Sequence, residues 1–293
     1  MQPRWTELPP DQLESIYNPR AASPNVAQGL ARRKAESEAA SRSLAGRCQV
    51  TQDLRYGSGE KETLDLYQSP QLAGAAAPLA VFLHGGYWRG GDKSEATLVV
   101  PALLDAGAVV ANVNYDLCPV VSLDAMVAQV IRAVRYCHAN ASKWHANPDR
   151  LLLMGHSAGA HLAARVMNSP ADEHGFPADA VASVVAITGI YDPEVITKIS
   201  VNDEAQIDVQ TARRNECLNR PPNGRARYAV WAGGDEPPGW VEQSRLYAEV
   251  VRAAGFECEY FEVPGADHFS VLCESFIADS PPFDRIRSML NTE

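Results

Sequence analysis

Apolar residues recur in short runs from about residue 50 onward, and stretches of helical periodicity separate these runs. The runs at 79–83 and 150–154 are apolar at nearly every position instead of at every second one. Such runs are typical of strands buried on both faces of a parallel sheet. The predicted strands cover residues 50–56, 63–67, 79–84, 108–114, 150–154, 181–188, 228–232 and 258–263, and the predicted helices between them cover 94–106, 123–140, 159–168 and 241–254. This alternation predicts an α/β three-layer sandwich, preceded by a hairpin of the first two strands.

Two segments depart from this alternation. Residues 1–45 predict a helical arm that packs on the body, with one short helix over 11–17 and a polar helix over 26–44. The first should end before Asn18-Pro19, because a residue that precedes proline avoids the α region. We expect 46–293 to form a single domain. Within it, the polar stretch 191–224 is too long for a plain connection and predicts an excursion over one sheet edge, as a partial lid.

Composition and charge narrow the class of protein. The 293 residues are 46% hydrophobic and 21% charged, as in globular chains with one sizeable core. The net charge of −10 argues against partners with an anionic backbone or surface, so we expect neither nucleic acid nor a membrane to bind. No targeting segment or membrane span is evident, and the six cysteines show no metal-like spacing, which predicts reduced thiols and a cytoplasmic location. The frequency of twofold assemblies favours a homodimer.

The strongest chemical signal is the pentapeptide Gly155-His156-Ser157-Ala158-Gly159, which follows a predicted strand and opens a predicted helix. A G-x-S-x-G sequence in this context predicts a nucleophile elbow, in which glycines permit a strained turn and the serine is presented at the start of a helix. The alternative is a turn of small residues between a strand and a helix. We take Ser157 as the candidate nucleophile.

A second glycine-rich segment, His84-Gly85-Gly86-Tyr87-Trp88, follows the third predicted strand. Acyl transfer builds negative charge on a carbonyl oxygen, and fixed N–H donors must stabilise that charge. We expect the backbone amides of Gly86, Tyr87 and Ala158 to form this oxyanion hole. A glycine turn with an aromatic plug is the alternative.

The general base should follow the last strand in a fold of this kind, and His268 occupies that position. The acid should follow the strand at 228–232, where Asp235 and Glu236 are adjacent. The spacing Gly233-x-x-acid favours Glu236, whereas the general preference for the shorter aspartate favours Asp235. From the residues alone both remain candidates for orienting His268.

Together the segments HGGYW (84–88), NYDLCP (114–119), GHSAGAH (155–161) and TGIYD (188–192) resemble the kynurenine formamidase (arylformamidase) branch of the α/β-hydrolase superfamily. The resemblance covers nearly the whole chain and implies the α/β-hydrolase fold with a mostly parallel eight-stranded sheet. The run from Glu236 to Trp240, followed by Gln243-Ser244, is similar to the branch's acid-x-Pro-x-aromatic pattern and selects Glu236. The stretch 208–222 departs from the branch, with Cys217 where a serine-proline step is expected.

The resemblance implies a serine hydrolase that converts N-formyl-L-kynurenine and water to L-kynurenine and formate. Ser157, His268 and Glu236 would be catalytic, and Tyr87 and Trp88 would offer a flat wall to an aryl group. The chemistry requires no metal and no organic cofactor, since serine, histidine and backbone amides suffice. A carboxylesterase or aryl-amidase acting on small acyl groups is the first alternative. A non-catalytic binding protein with the same fold is the second.

Overall fold

The computed structural model describes residues 5–72, 76–170 and 175–291, so the first four residues of the predicted arm lie outside the described part. Eight strands form one sheet in the order β1-β2-β4-β3-β5-β6-β7-β8. Strand β2 is antiparallel to both β1 and β4, and the remaining neighbours are parallel. The strands are β1 (Gln49–Arg55), β2 (Thr63–Gln68), β3 (Ala77–Leu83), β4 (Val109–Val113), β5 (Ala146–His156), β6 (Val181–Ile187), β7 (Arg227–Gly233) and β8 (Cys258–Val263).

The α/β-hydrolase fold predicted from the sequence is therefore confirmed, and each predicted strand is present with small shifts at its ends. Every residue of β3 and of β4 is buried, which explains why their sequences are apolar without alternation. Strand β1 lies at the sheet edge and is mostly exposed, in keeping with its mixed polar sequence. The sheet presents the carboxyl ends of β3, β5, β6, β7 and β8 at one edge, where open α/β sheets bind ligands.

Helices cover both faces of the sheet. They are α1 (Pro10–Tyr17), α2 (Pro19–Ala22), α3 (Val26–Leu44), α4 (Val100–Asp105), α5 (Leu123–Asn140), α6 (Ala158–Asn168), α7 (Val201–Ala205), α8 (Val209–Arg214), α9 (Pro238–Ala253), α10 (Val271–Ser275) and α11 (Pro281–Leu290), with 3₁₀ segments at Trp5–Glu7, Pro70–Leu72, Lys93–Val99, Ala141–Trp144 and Pro193–Lys198. No helix in the described ranges has the length and apolar character needed to cross a membrane.

One predicted helix is corrected. The sequence predicts a continuous helix over 94–106, whereas the structure has the 3₁₀ segment Lys93–Val99 followed by α4. Pro101 lies in the first turn of α4 and lacks the N–H that a continuous α-helix would need at this position. The α-helix therefore begins at Val100, and the preceding residues adopt the tighter 3₁₀ form.

The amino-terminal arm packs on the body through α1 and α3, whose bounds agree with the prediction. Leu13 and Tyr17 of α1 are buried in the main core. Glu14 accepts hydrogen bonds from the backbone amide of Ser200, at 2.9 Å, and from its hydroxyl, at 2.6 Å. In α3, a Cβ on Gly29 would lie 2.5 Å from Cβ of Phe269, so the helix backbone lies directly on the residue that follows His268.

The excursion at 191–224 contains the 3₁₀ segment Pro193–Lys198 and the short helices α7 and α8. Its sequence lacks a clear apolar period, yet residues such as Ile196 and Val201 are fully buried. Cys217, where the sequence departs from the resemblance, is buried, and its amide donates to the carbonyl of Tyr191 at 2.8 Å. At Cys217 the departure therefore falls on a buried packing position within the excursion.

Candidate active site

Ser157 lies in the tight turn between β5 and α6, with φ 57° and ψ −119°. Its amide donates to the carbonyl of Ile187 at 2.9 Å, which ties the turn to the neighbouring strand. A Cβ on Gly155 would overlap the carbonyl of Gly159, and a Cβ on Gly159 would overlap the carbonyl of Leu83. Both glycines are thus required by close backbone approach, and the turn has the geometry of a nucleophile elbow.

A continuous chain of hydrogen bonds links Ser157, His268 and Glu236. Nε2 of His268 lies 3.0 Å from Oγ of Ser157, and Nδ1 lies 2.8 Å from Oε2 of Glu236. In a neutral imidazole the Nδ1–H donates to the carboxylate, and Nε2 accepts from the serine hydroxyl. The three residues are only 3%, 5% and 7% exposed, so bulk water competes little for these bonds. The arrangement can remove a proton from the serine and stabilise the resulting imidazolium.

The structure distinguishes the two adjacent carboxylates that the sequence left open. Glu236 turns inward, and its Oε1 accepts from the amide of Gly233 at 2.7 Å. Asp235 is exposed, and its amide donates to the carbonyl of Ala266 at 3.0 Å. The Gly-x-x-acid step thus brings the glutamate carboxylate, and not the aspartate, to His268.

Thr188 is a further contact of this carboxylate that sequence reasoning did not assign. Its hydroxyl donates to Oε2 of Glu236 at 2.5 Å and lies 3.5 Å from Nδ1 of His268. Thr188 has φ 45°, unusual for a β-branched residue, and its amide donates to the carbonyl of Trp231 at 2.6 Å. Its place directly after β6, at the edge that carries the other site residues, was the signal available in the sequence.

The loop after β3 brings Gly85, Gly86 and Tyr87 beside Ser157. A Cβ on Gly85 would lie 3.1 Å from Cβ of Ser157, and Gly86 has φ 135° with no room for a side chain beside the carbonyl of Gly90. The close approach needs glycine, and it brings the loop backbone next to the serine. Ala158, the first residue of α6 and the neighbour of Ser157 in sequence, is fully buried. The three predicted oxyanion residues are thus brought together around one serine.

His84 holds the start of this loop. Its Nδ1 lies 2.8 Å from the carbonyl of Gly85 and its Nε2 lies 3.0 Å from Oδ1 of Asn114. The ring stacks on Tyr115 with a centroid distance of 4.3 Å. Burial lowers the pKa of His84 to about 4, so the ring is neutral near pH 7 and acts as a buried support for the loop.

Of the two aromatic residues predicted to face a substrate, the structure places Tyr87 at the cleft and Trp88 away from it. The hydroxyl of Tyr87 donates to the carbonyl of Tyr17 in the arm, and its ring meets Trp240 edge-on at 5.4 Å. Trp88 is fully buried, and its Nε1 donates to Nδ1 of His161 at 3.2 Å. The expectation of a wall formed by Trp88 is therefore wrong, because its ring packs inside the body.

The cleft above Ser157 is lined partly by the arm and is rich in charged side chains. Besides the loop after β3, Ser157 and His268, its charged lining residues are Arg20, Arg33, Arg89, Glu95 and Glu204. Sequence analysis assigned no role to these five. The arginines of the arm lie far from the motifs in sequence, so only the folded chain shows that they reach the site.

His156, next to the serine, is also buried at the cleft. Its Nε2 lies 3.2 Å from the carbonyl of His268. Burial lowers the pKa of His156 well below its usual value, and the electrostatic influence of His268 and then of Arg33 adds to this effect. The positive charge of Arg33 therefore affects the pKa of a residue directly next to Ser157.

Comparison with known proteins gives relatives along nearly the whole chain. The family model described as BD-FAE matches residues 64–231. The chain is 30% identical to a kynurenine formamidase of Danio rerio, covering 92% of each chain, and 29% identical to a kynurenine formamidase of Drosophila melanogaster, covering 95% of each. A solved structure of a candidate thioesterase from a Silicibacter species has a TM-score of 0.79 at 26% identity, covering 95% of this chain and 98% of that one.

These similarities agree with the motifs and with the geometry around Ser157. The matched region of the family model begins in β2 and ends in β7, so it includes the loop after β3 and the elbow. The relatives extend the similarity to the arm and to the segment that carries His268. The chain is a hydrolase that belongs to the BD-FAE family and, within the α/β-hydrolase superfamily, to the kynurenine formamidase branch.

Proposed function

We propose that this hydrolase cleaves an aryl formamide, N-formyl-L-kynurenine, to L-kynurenine and formate. The observation that carries the proposal is the hydrogen-bonded chain Ser157–His268–Glu236 beside a glycine-rich loop, in a protein similar over 92% of its length to a kynurenine formamidase. Ser157 is the proposed nucleophile and His268 the proposed general base. Glu236 is proposed to orient His268.

The first half of the reaction forms a formyl-enzyme. Oγ of Ser157 attacks the formyl carbon while Nε2 of His268 takes the hydroxyl proton. The carbonyl oxygen becomes an oxyanion, and the proposed donors that stabilise it are the amides of Gly86, Tyr87 and Ala158. His268 then gives its proton to the departing aryl amine nitrogen, and the carbon–nitrogen bond breaks.

The second half regenerates the serine. Water replaces the aryl amine, and Nε2 of His268 takes a proton from it as its oxygen attacks the formyl carbon. The ester bond to Ser157 breaks, His268 returns a proton to Oγ, and formic acid leaves and releases its proton to solvent as formate. Glu236 faces Nδ1 throughout and stabilises the imidazolium in both halves.

A substrate panel with the purified protein tests this proposal. We expect kcat/KM for N-formyl-L-kynurenine to exceed that for p-nitrophenyl acetate, although the ester has the better leaving group. N-acetyl and N-propionyl kynurenine should be much poorer substrates, because a formyl group carries only one hydrogen on its carbonyl and needs little space. Labelling of wild-type protein with a fluorophosphonate probe gives the concentration of active sites for each measurement.

An ester hydrolase is the second candidate, and the similarity in fold to a candidate thioesterase favours it specifically. A preference for p-nitrophenyl acetate by about tenfold or more, equivalent to about 1.4 kcal/mol in transition-state stabilisation, would contradict the formamidase proposal. Equal rates along the formyl, acetyl and propionyl series would contradict it as well, since they would reveal a roomy acyl pocket.

A further inference from the structure

Two arginines line the cleft without full use of their hydrogen-bonding capacity. Nε of Arg33 and Nε of Arg89 are buried, and neither has a hydrogen-bond partner among the described residues. A buried donor without a partner is unfavourable, and in native structures its partner is usually a protein group, an ordered water or a bound group. Both residues line the same cleft as Ser157 and His268, so an anionic substrate group that enters the cleft lies close to their guanidinium groups.

The charges around the two arginines differ. Arg89 forms an ion pair with Glu204, whose side chain is 70% exposed, whereas the side chain of Arg89 is 12% exposed. Burial lowers the pKa of the Arg33 guanidinium, and the charge of Glu95 partly opposes this effect. Glu95 is exposed on the facing 3₁₀ segment, so it does not satisfy the buried Nε of Arg33. Unlike Arg89, Arg33 has no ion pair within the described part of the chain.

We infer that Arg33 binds the carboxylate of an anionic substrate beside Ser157, with Arg89 as a second cation next to it. A guanidinium offers a planar pair of N–H donors that matches a carboxylate. The inference rests on the proposed function, because N-formyl-L-kynurenine carries an α-amino acid group at the end remote from its formamide. It makes the arm a determinant of specificity, since Arg33 belongs to α3 and not to the sheet.

Three aryl formamides separate the contributions of the head group. N-formyl-L-kynurenine carries a carboxylate and an ammonium, 4-(2-formamidophenyl)-4-oxobutanoate carries only the carboxylate, and 2′-formamidoacetophenone carries neither. The variants are Arg33→Gln and Arg33→Lys. The control is Arg42→Gln, which removes the same charge from an exposed position in the same helix.

With Arg33→Gln we expect kcat/KM to fall by about 10- to 100-fold for the two carboxylates, mainly through KM, and by less than about twofold for 2′-formamidoacetophenone. Arg33→Lys should restore part of the loss, because lysine keeps the charge but not the paired donors. Arg42→Gln should behave as wild type. An equal fall for all three substrates would show that Arg33 only supports the fold, and an unchanged carboxylate-only substrate would show that no carboxylate binds there.

Failure of the proposed function gives a different result. In that case wild-type protein hydrolyses aryl esters but no aryl formamide, and the comparison is repeated with 3-acetoxybenzoate and phenyl acetate. If Arg33→Gln lowers kcat/KM for 3-acetoxybenzoate and not for phenyl acetate, the carboxylate site is supported although the formamidase activity is not. Equal effects on both esters would overturn the site, and turnover of neither substrate class would overturn both proposals.

Discussion

The carboxyl edge of the sheet and the amino-terminal arm both line the cleft, but they reach it by different means. Ser157 and Glu236 are held by bonds to their own turns and to adjacent strands. The arm is held by side chains that cross long distances in sequence, such as Trp5, whose Nε1 donates to Asp192 at 2.6 Å. The sheet edge thus carries the proposed chemistry, and the arm covers it and adds cations.

The sheet edge and the arm therefore place different requirements on the amino-acid sequence. The elbow needs a strained backbone that only certain residues tolerate, so its sequence is a short motif with glycine at fixed positions. The arm needs a packed surface, and many sequences of similar pattern could provide one. Changes at the sheet edge should therefore alter turnover with little change in stability, whereas changes in the arm should alter its local stability first.

The largest effect is expected for Ser157→Ala, because no other group in the described chain of hydrogen bonds can take the role of nucleophile. Loss of a nucleophile of this kind lowers kcat by about 10⁶. The measurement is kcat for N-formyl-L-kynurenine, with a thermal melt to show that the fold is unchanged. Activity above a few per cent of wild type would contradict the elbow assignment.

The second effect compares Glu236→Gln with Asp235→Asn, which neutralise adjacent carboxylates. Glu236→Gln should lower kcat by up to about 10⁴, because an amide can hold His268 in the wrong tautomer. Asp235→Asn should retain nearly full turnover, since its side chain is exposed. Both are measured at saturating substrate. The reverse pattern would make Asp235 the orienting acid.

The sheet edge was largely predictable from the sequence, and the arm's role in the site was not. The G-x-S-x-G motif reflects local backbone requirements and could be recognised without the fold, whereas His268 was found from its place after the last predicted strand. The choice between Asp235 and Glu236 needed the resemblance. The two residues are adjacent, and a shift of one position in the turn would decide which side chain points inward. Arg33 has no local signature, since a polar helix on a surface commonly carries arginine, and only its packing brings it to the cleft. Trp88 was misplaced because an aromatic residue in a loop can point to either side.

A third prediction concerns the arm itself. Leu13→Ala truncates a side chain that is 3% exposed and packs in the main core. Such a substitution typically lowers the free energy of unfolding by about 2–5 kcal/mol. We expect faster amide hydrogen exchange in α1, with the central strands unchanged. Gln12→Ala in the same helix is the control, since Gln12 is exposed. An equal increase in exchange in β3 and β5 would show that the arm and the sheet unfold as one unit.

The smallest effect is expected for Thr188→Val, which keeps the shape of the side chain and removes only the hydroxyl that donates to Glu236. Glu236 would still accept from the amide of Gly233 and face His268, so the carboxylate stays in place with one donor fewer. A hydrogen bond to a charged group contributes about 1.5–3 kcal/mol, and we expect kcat to fall by about tenfold because only part of that stabilisation reaches the transition state.

Thr188→Ser tests whether the hydroxyl or the backbone of this residue matters. Thr188 holds φ 45°, which is strained for a β-branched side chain, and serine keeps the hydroxyl while relieving that strain. If the hydroxyl positions Glu236, serine should retain most of kcat while valine loses it, with similar thermal melts for both variants. Equal losses in the two variants would assign the role to the backbone turn, and wild-type kcat in Thr188→Val would show that Gly233 and His268 alone hold the carboxylate. If serine retains kcat and valine loses it, the site at the sheet edge depends on the Thr188 hydroxyl as well as on the glycines of its turns. No sequence motif marks that hydroxyl.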